Sequence, residues 1–336
     1  MIIAIDAMGG DYAPEEIVGG ALAAARELDC SIILVGDREQ IKHCVSDMPD
    51  NVSIVHCSQV IDMGEKPAAA IRKKPEASIC VATKLVRDGK ADAVVSAGST
   101  GAQMAAALFF LGRTPEVHRP AIAAALPGIT GPRLLIDVGA NVDCRPENLV
   151  EFAVMGSSYA ETVMGIKEPL VGLLNIGLEE SKGNSLTTET FNLLKKSGVN
   201  FFGNIEARDI FTSDADIIVC DGFVGNALLK FGEGLVDLFN GFLRDYIGKS
   251  GITKLGGLCL RPAFKDLKKK MDWEEFGGAP LLGVKKVSIV CHGSSKGNAV
   301  KSAVKVAYKC VSNNFIQHMS HSIKEEKVAQ CSQERL

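Results

Sequence analysis

The sequence has no long uninterrupted apolar stretch and no marked excess of charge of either sign. No apolar run approaches the ~20 residues that a membrane-spanning helix needs, so we expect a protein that is soluble or at most attached to a membrane surface. The 37 Lys and Arg residues nearly balance the 40 Asp and Glu residues, which gives a formal net charge of −3. A chain without a basic surplus is not expected to bind nucleic acid, and any basic patch must be local.

The cysteines are scattered and form no recognisable metal or redox pattern. There is no Cys-x-x-Cys pair and no histidine spacing typical of zinc. The chain starts directly on a strand-like segment at residues 2–5 without a signal-peptide pattern, so we expect reduced thiols in a cytoplasmic protein. Cys220 and Cys291 each precede a glycine turn and could be nucleophiles, although a small cysteine that ends an apolar strand is more often structural.

Several motifs of nucleotide-binding and hydrolytic enzymes are also missing. No Gly-x-Gly-x-x-Gly follows the first strand, no Walker A sequence is present, and no Gly-x-Ser-x-Gly elbow presents a serine. Asp6, Asp137 and Asp221 each follow a strand and could gather around a metal ion. No histidine or further carboxylate completes a ligand set, and the simpler role of these carboxylates is to accept N–H groups at turns and helix starts. We therefore expect neither a metal nor a cofactor.

Three segments share one design, in which an apolar strand leads through a glycine turn into a helix. They span residues 93–102, 216–230 and 287–299. Such a turn points backbone N–H groups and the positive end of a helix dipole at one place, which favours an anion such as phosphate. One turn of this kind is weak evidence, but three in one α/β chain indicate that the helix starts converge on a ligand at the carboxyl ends of the strands.

The order of predicted elements favours an α/β fold. Strands at residues 2–5, 31–36 and 52–55 alternate with helical stretches, which is typical of a parallel sheet with helices on its faces. No proline- or glycine-rich linker divides the chain. We predict one α/β domain over residues 1–316, which includes a helical region at 232–280, and then a polar, frayed tail at 317–336.

The helical region at 232–280 combines apolar and basic residues. One apolar stripe follows Asn226 at helical spacing, and it consists of Leu235, Leu238, Phe239, Phe242 and Tyr246. Beyond it, Leu255, Leu258 and Leu260 lie among lysines and arginines, as in a membrane tip with a basic collar. A dimer interface or a covered core is an equal alternative. A second basic stretch at 65–75 is either a solvated surface or a docking site for an acidic partner.

A series of longer motifs runs in a fixed order along nearly the whole chain, to about residue 315. The motifs are Ile-Ala-Ile-Asp-Ala-Met-Gly-Gly-Asp at 3–11, Ser-Ala-Gly-Ser-Thr-Gly-Ala at 96–102, Asp-Val-Gly-Ala-Asn at 137–141, the polar loop at 175–183, Asp-Gly-Phe-Val-Gly-Asn at 221–226, Gly-Ala-Pro-Leu-Leu-Gly at 278–283 and His-Gly-Ser-Ser at 292–295. This series resembles the bacterial phosphate acyltransferase (PlsX) family. One departure is Ser99, where the family commonly has asparagine, a longer hydrogen-bonding side chain.

The resemblance implies an enzyme that transfers a fatty acyl group from acyl carrier protein to inorganic phosphate, giving acyl phosphate for phospholipid biosynthesis. It implies a homodimer at the inner face of the cytoplasmic membrane, with a membrane glycerol-3-phosphate acyltransferase as the next enzyme. It also implies a doubly wound, largely parallel open sheet similar to isocitrate and isopropylmalate dehydrogenases, with a helical appendage and without their cofactor.

The turns and the resemblance together define a candidate site. Phosphate would lie on the helix starts at 98–101 and 222–226 and attack the thioester directly, so that no enzyme nucleophile is needed. Asn226 would donate a hydrogen bond to the developing oxyanion. Spacing alone leaves Lys182 an ordinary surface lysine, but the match of its loop to the family implies that it neutralises phosphate or the oxyanion. The candidate phosphate- or substrate-binding residues are Gly98, Ser99, Thr100, Gly101, Asp137, Asn141, Asp221, Gly222, Gly225 and His292.

His292 has two possible roles at this point. It follows a strand beside an anion-binding type of turn and could be a general base, whereas a lone histidine in a turn is more often a hydrogen-bonded structural residue.

Two other functions remain open. A phosphotransacetylase-like enzyme would take the acyl group from coenzyme A, and a non-catalytic regulator would bind lipid or carrier protein with glycine turns that are only structural. Formation of acyl phosphate from each donor would discriminate among the three.

Overall fold

A computed structural model describes residues 1–264 and 277–333, with side chains described through residue 329. The segment 265–276 of the predicted helical region and the last three residues of the predicted tail lie outside the described residues.

Within these residues one eleven-stranded sheet has the order β3-β2-β1-β4-β11-β10-β5-β6-β9-β7-β8. The strands are β1 (Ile2–Asp6), β2 (Ser31–Gly36), β3 (Val52–His56), β4 (Ala93–Ser96), β5 (Ala121–Leu126), β6 (Arg133–Ile136), β7 (Val171–Asn175), β8 (Phe201–Glu206), β9 (Ile217–Val219), β10 (Ala279–Leu282) and β11 (Val287–Val290). Most neighbours are parallel, but β10 is antiparallel to both of its neighbours and β5 is antiparallel to β6. The largely parallel sheet is confirmed; β10 was not predicted as a strand because it has four residues and includes a proline.

Helices cover both faces of this sheet. They are α1 (Glu15–Glu27), α2 (Arg38–His43), α3 (Pro67–Lys73), α4 (Ser78–Arg87), α5 (Thr100–Ala106), α6 (Pro146–Tyr159), α7 (Ser185–Leu194), α8 (Gly222–Gly248), α9 (Gly251–Cys259), α10 (Gly297–Ser312) and α11 (Phe315–Gln333). Successive side chains of a strand point to opposite faces, so Ile3 and Ile5 join one core cluster, which includes Val18 of α1, and Ala4 joins the other. The doubly wound arrangement is thereby confirmed.

The C-terminal segment differs from the frayed tail expected from its polar composition. α11 runs to Gln333, and Phe315, Met319 and Ile323 are buried in the core. These three residues are spaced four apart, which places them on one helix face. Glu326 Oε2 accepts a hydrogen bond from the Gly198 N–H at 2.8 Å, which ties the helix to the loop before β8.

The helical region after residue 232 projects its apolar side chains into solvent. In α8 only the glycines at 222 and 225 are buried, and the predicted stripe from Leu235 to Tyr246 is exposed. The glycine-containing stretch after it, expected to be a poor helix, forms α9 because Ser250 caps its first turn by accepting the Thr253 N–H at 3.2 Å. No helix in the described part of the chain is both long enough and apolar enough to cross a bilayer.

Candidate functional site

A cleft of about 940 Å³ opens at the carboxyl ends of the central strands. The three glycine turns meet at this cleft. Its lining includes one residue from each turn: Thr100 at the start of α5, Gly222 at the start of α8 and Lys296 just before α10. β4 and β11 are parallel neighbours, so the turns that follow them lie at the same edge of the sheet. The convergence that the sequence predicted is therefore present in the fold.

The first turn places one of its four candidate residues on the cleft, Thr100. Ser99 is the N-cap of α5, and its Oγ accepts the Ala102 N–H at 3.4 Å. The Gly98 N–H donates to Ser96 Oγ at 3.0 Å, and this hydroxyl donates to the buried carboxylate of Asp6 at 2.7 Å. Ser99 thus has a structural role in which serine works as well as asparagine, because both are preferred N-caps.

Gly101, the fourth candidate of this turn, packs against α3. A Cβ at this position would lie 2.7 Å from Pro67 Cγ, so Gly101 permits the close approach of the two helices.

The turn at 137–141 forms the floor beneath the second helix start. The buried carboxylate of Asp137 accepts hydrogen bonds from the Ala140 N–H at 2.9 Å and from the Asn141 N–H at 2.7 Å. Asn141 Nδ2 donates to Asp137 at 2.9 Å and to the Pro120 carbonyl at 2.7 Å. Burial raises the pKa of Asp137, and these hydrogen bonds oppose the shift. Asp137 and Asn141 therefore hold the turn together rather than face the cleft.

The start of α8 packs directly on that floor. Asp221 Oδ1 accepts the N–H groups of Phe223 and Val224, both at 3.0 Å. A Cβ at Gly222 would lie 2.7 Å from the Asn141 carbonyl oxygen, and a Cβ at Gly225 would overlap the Asp137 carbonyl. Both glycines are therefore required for close packing.

Asn226 and Lys230 face the cleft from successive turns of α8. Asn226 lies over Gly139, whose φ of +131° is accessible to glycine and strained for other residues. Lys230 Nζ lies 2.7 Å from Glu233 Oε2 and 2.8 Å from His292 Nε2. The turn motifs do not identify Lys230 as a site residue. Its spacing of four residues from Asn226 is the sequence signal for it, because this spacing places both side chains on one helix face.

The cleft also has an apolar wall. The apolar residues that line it are Ile122, Val138 and, from α8, Phe223, Leu229, Val236, Phe239 and Leu243. Polar side chains at Glu233, Asp237, Asn240 and Arg244 line the cleft between these apolar residues.

Lys182 is not among the residues that line this cleft. It is exposed in the loop after β7, where its carbonyl accepts a hydrogen bond from Asn175 Nδ2 at 3.0 Å. The loop also exposes Ile176 and Leu178. The catalytic role of Lys182 stays a prediction.

The two candidate nucleophilic cysteines are buried. Burial raises the pKa of Cys291 to about 12 and that of Cys220 well above its ordinary value. A thiol with so high a pKa is almost entirely protonated near neutral pH, and the thiolate is the reactive form. The structural interpretation of both cysteines is therefore favoured.

The three carboxylates considered for a metal each serve a separate turn. Asp6 accepts from Ser96, Asp137 from the 139–141 backbone and Asp221 from the first turn of α8. Across residues 1–264 and 277–333, no group of three or more His, Cys, Asp or Glu side chains is arranged to hold a metal ion.

The predicted membrane tip is exposed. Leu255, Leu258 and Leu260, in α9 and at its C-cap, have exposed fractions of 65%, 63% and 52%. In the other basic stretch, Lys74 is paired with Glu65 at 2.6 Å.

Solved structures of other proteins share this fold at low sequence identity. A phosphotransacetylase from Streptococcus pyogenes superposes with a TM-score of 0.61 and 17% identity, covering 93% of this chain and 94% of that one. A branched-chain phosphotransacylase from Enterococcus faecalis V583 has a TM-score of 0.60 and 17% identity, with 93% and 99% coverage. A 4-hydroxythreonine-4-phosphate dehydrogenase from Klebsiella pneumoniae has a TM-score of 0.53 and 12% identity, with 93% and 98% coverage. These similarities show a common fold.

Sequence comparison identifies much closer relatives. A protein named phosphate acyltransferase from Moorella thermoacetica is 55% identical over 318 residues, which cover 94% of each chain. A protein of the same name from Pelotomaculum thermopropionicum is 53% identical over 330 residues, covering 98% of this chain and 96% of the relative. The family described as "Fatty acid synthesis protein" matches residues 1–318. The resemblance found in the motifs is confirmed, and the chain belongs to this fatty acid synthesis protein family, in which both of these relatives are named phosphate acyltransferases.

Proposed function

We propose that this chain transfers a fatty acyl group from acyl carrier protein to inorganic phosphate and so supplies acyl phosphate for phospholipid biosynthesis. The observation that carries the proposal is the cleft itself. It brings three helix starts together with several apolar side chains of α8, in a chain more than half identical to proteins named phosphate acyltransferase. A phosphate and an acyl chain are the two chemical groups that such a cleft would bind side by side.

In this mechanism phosphate binds at the starts of α5 and α8 and its oxygen attacks the thioester carbonyl. Asn226 donates a hydrogen bond to the oxyanion, and Lys182, on the loop after β7, supplies positive charge to phosphate or the oxyanion. The carbon–sulfur bond breaks because a thiolate is a good leaving group, and the departing thiolate takes up the proton released by hydrogen phosphate to form the thiol. The buried, protonated state of Cys220 and Cys291 supports direct attack by phosphate rather than a covalent enzyme intermediate.

The acyl chain would lie along the apolar wall, from Leu229 towards Phe239 and Leu243. These residues extend away from Asn226 along one helix, so a chain whose carbonyl is near Asn226 would run parallel to α8. Burial of each methylene contributes roughly 0.8 kcal/mol, which favours long acyl groups over acetyl.

The exposed apolar surface of α8 and α9 supports a homodimer that sits at the inner face of the cytoplasmic membrane. The exposed stripe residues that do not line the cleft, Leu235, Leu238, Phe242 and Tyr246, are suited to pairing with a second copy. The leucines of α9 are suited to insertion between lipid headgroups. At the membrane, acyl phosphate would pass to a glycerol-3-phosphate acyltransferase without crossing water.

The experiment that tests the function measures acyl phosphate, trapped with hydroxylamine, from purified protein and phosphate with either acyl carrier protein or coenzyme A as donor. We expect product from the acyl carrier protein thioester, and Asn226→Ala should lower its turnover by about 10²-fold or more. Preference for acyl-CoA would instead support the phosphotransacetylase-like alternative. Binding of acyl carrier protein without product would support a regulator.

A further inference from the structure

An unusual pair of side chains lies on the polar wall of the cleft, where Lys230 Nζ is 2.8 Å from His292 Nε2. An ammonium group has no lone pair, so this hydrogen bond uses the lone pair of Nε2 and leaves the ring proton on Nδ1. Nδ1 lies 2.7 Å from Ser294 Oγ, which can accept that proton. The Ser294 N–H also donates towards Nδ1, at 3.2 Å, which opposes this tautomer. The Lys230 ammonium and the shorter Ser294 Oγ contact together favour the tautomer that presents an unprotonated Nε2 to the cleft.

The charges around the pair indicate where an anion would bind. Glu233 Oε2 accepts from Lys230 at 2.7 Å, and both side chains are partly exposed, by 47% for Lys230 and 29% for Glu233. Glu233 and Asp237 line the cleft on the following turns of α8 and repel an anion from that side. An anion is favoured on the side of Lys230 that faces away from these two carboxylates, next to His292.

We propose that Lys230 binds inorganic phosphate in the cleft, and that phosphate draws Lys230 away from His292, whose freed Nε2 then acts as the general base. The proposal rests on acyl transfer to phosphate as the function. The attacking oxygen of hydrogen phosphate forms the new bond to the acyl carbon and gives its proton to Nε2. The carbon–sulfur bond breaks, and the proton passes from Nε2 to the departing thiolate, which returns His292 to its neutral state.

This mechanism assigns different kinetic effects to the two residues. Lys230→Ala should raise the phosphate KM by about tenfold or more, with the acyl-donor KM unchanged, because a charge-assisted hydrogen bond to phosphate is lost. Lys230→Arg should restore much of the affinity for phosphate. His292→Gln should lower kcat by about 10²-fold with little effect on the phosphate KM, because proton transfer rather than binding is removed.

A matched control is Lys42→Ala on α2. Lys42 also pairs with a glutamate three residues away, with its Nζ 3.2 Å from Glu39 Oε1, but it lies far from the cleft in the fold, on a helix beside the β3 edge of the sheet. This variant should keep wild-type values of both KM and kcat.

The outcomes separate this proposal from the proposed function. If the wild-type protein forms no acyl phosphate with either thioester donor, the function itself is wrong. If the wild-type protein is active but Lys230→Ala keeps a normal phosphate KM, or raises the KM of both substrates equally, the assignment of Lys230 is overturned. If His292→Gln keeps a normal kcat, the proton transfer is overturned. Thermal unfolding of each variant confirms that the measured protein is folded.

Discussion

Gly222→Ala is the substitution that most directly tests the geometry of the cleft. The added Cβ would lie 2.7 Å from the Asn141 carbonyl oxygen, 2.8 Å from Asp137 Oδ2 and 2.9 Å from the Asn141 nitrogen. These atoms cannot move aside easily, because Asp137 is buried and holds the 137–141 turn through several hydrogen bonds. The start of α8 must therefore shift, and overpacking of this kind costs about 1–3 kcal/mol of unfolding free energy.

The stability loss should be small beside the loss of activity. An unfolding entropy of about 2.1 cal/mol/K per residue converts this cost into a Tm decrease of roughly 1.5–4 °C for a chain of this length. Asn226 sits one turn along α8, so displacement of the helix start moves it relative to the bound substrates. A misplacement of about 1 Å costs about 10²-fold in turnover, so we expect a loss of activity of up to this size.

The assay compares acyl phosphate formation and thermal unfolding of Gly222→Ala with those of Gly19→Ala. Gly19 is exposed on α1, and a Cβ there would contact nothing within 4 Å. This control should keep full activity and should not lose stability, because alanine is favoured over glycine inside a helix. Wild-type turnover and an unchanged Tm in Gly222→Ala would show that the helix start does not depend on this close packing.

Three further predictions concern the loop, the tip and the thiols. Lys182→Ala should lower turnover by about 10²-fold if its charge acts in the transition state, and near-normal turnover measured with saturating substrates would refute that role. Replacing Leu258 and Leu260 together by serine should release the protein from anionic vesicles while activity in solution persists; unchanged vesicle sedimentation would count against a membrane tip. A thiol reagent near neutral pH should modify exposed Cys259 first and Cys291 only on unfolding, because burial raises the pKa of Cys291 to about 12. Peptide mapping after labelling checks this order.

The sequence was sufficient for those parts of the fold that depend on local patterns. Apolar runs followed by glycine turns predicted β4, β9 and β11 and the helices after them, because strand and helix periodicities differ and glycine marks the change. The α11 helix was missed because its apolar residues are few, although Phe315, Met319 and Ile323 are spaced for a single face. β10 was missed because a four-residue strand has too little periodicity to detect.

The candidate site was predictable only in part, because local turn motifs identify helix starts but not the side chains that reach the cleft. The three helix starts were identified because each carries its own turn signal, and Thr100, Gly222, Asn226 and His292 do line one cleft. Asp137, Asn141 and Gly225 have the same kind of signal but pack beneath the site. A turn motif shows that backbone groups are presented, not which side chains reach the ligand.

The sequence by itself determined the fold class, the family and the existence of three anion-binding types of turn, since these depend on residue order and spacing along the chain. The tertiary structure decided which of those turns share a cleft, because this depends on strand order in the sheet rather than on the distance between residues in the chain. It also decided the pairing of Lys230 with His292, two residues 62 positions apart, whose contact arises only when α8 packs beside the turn after β11.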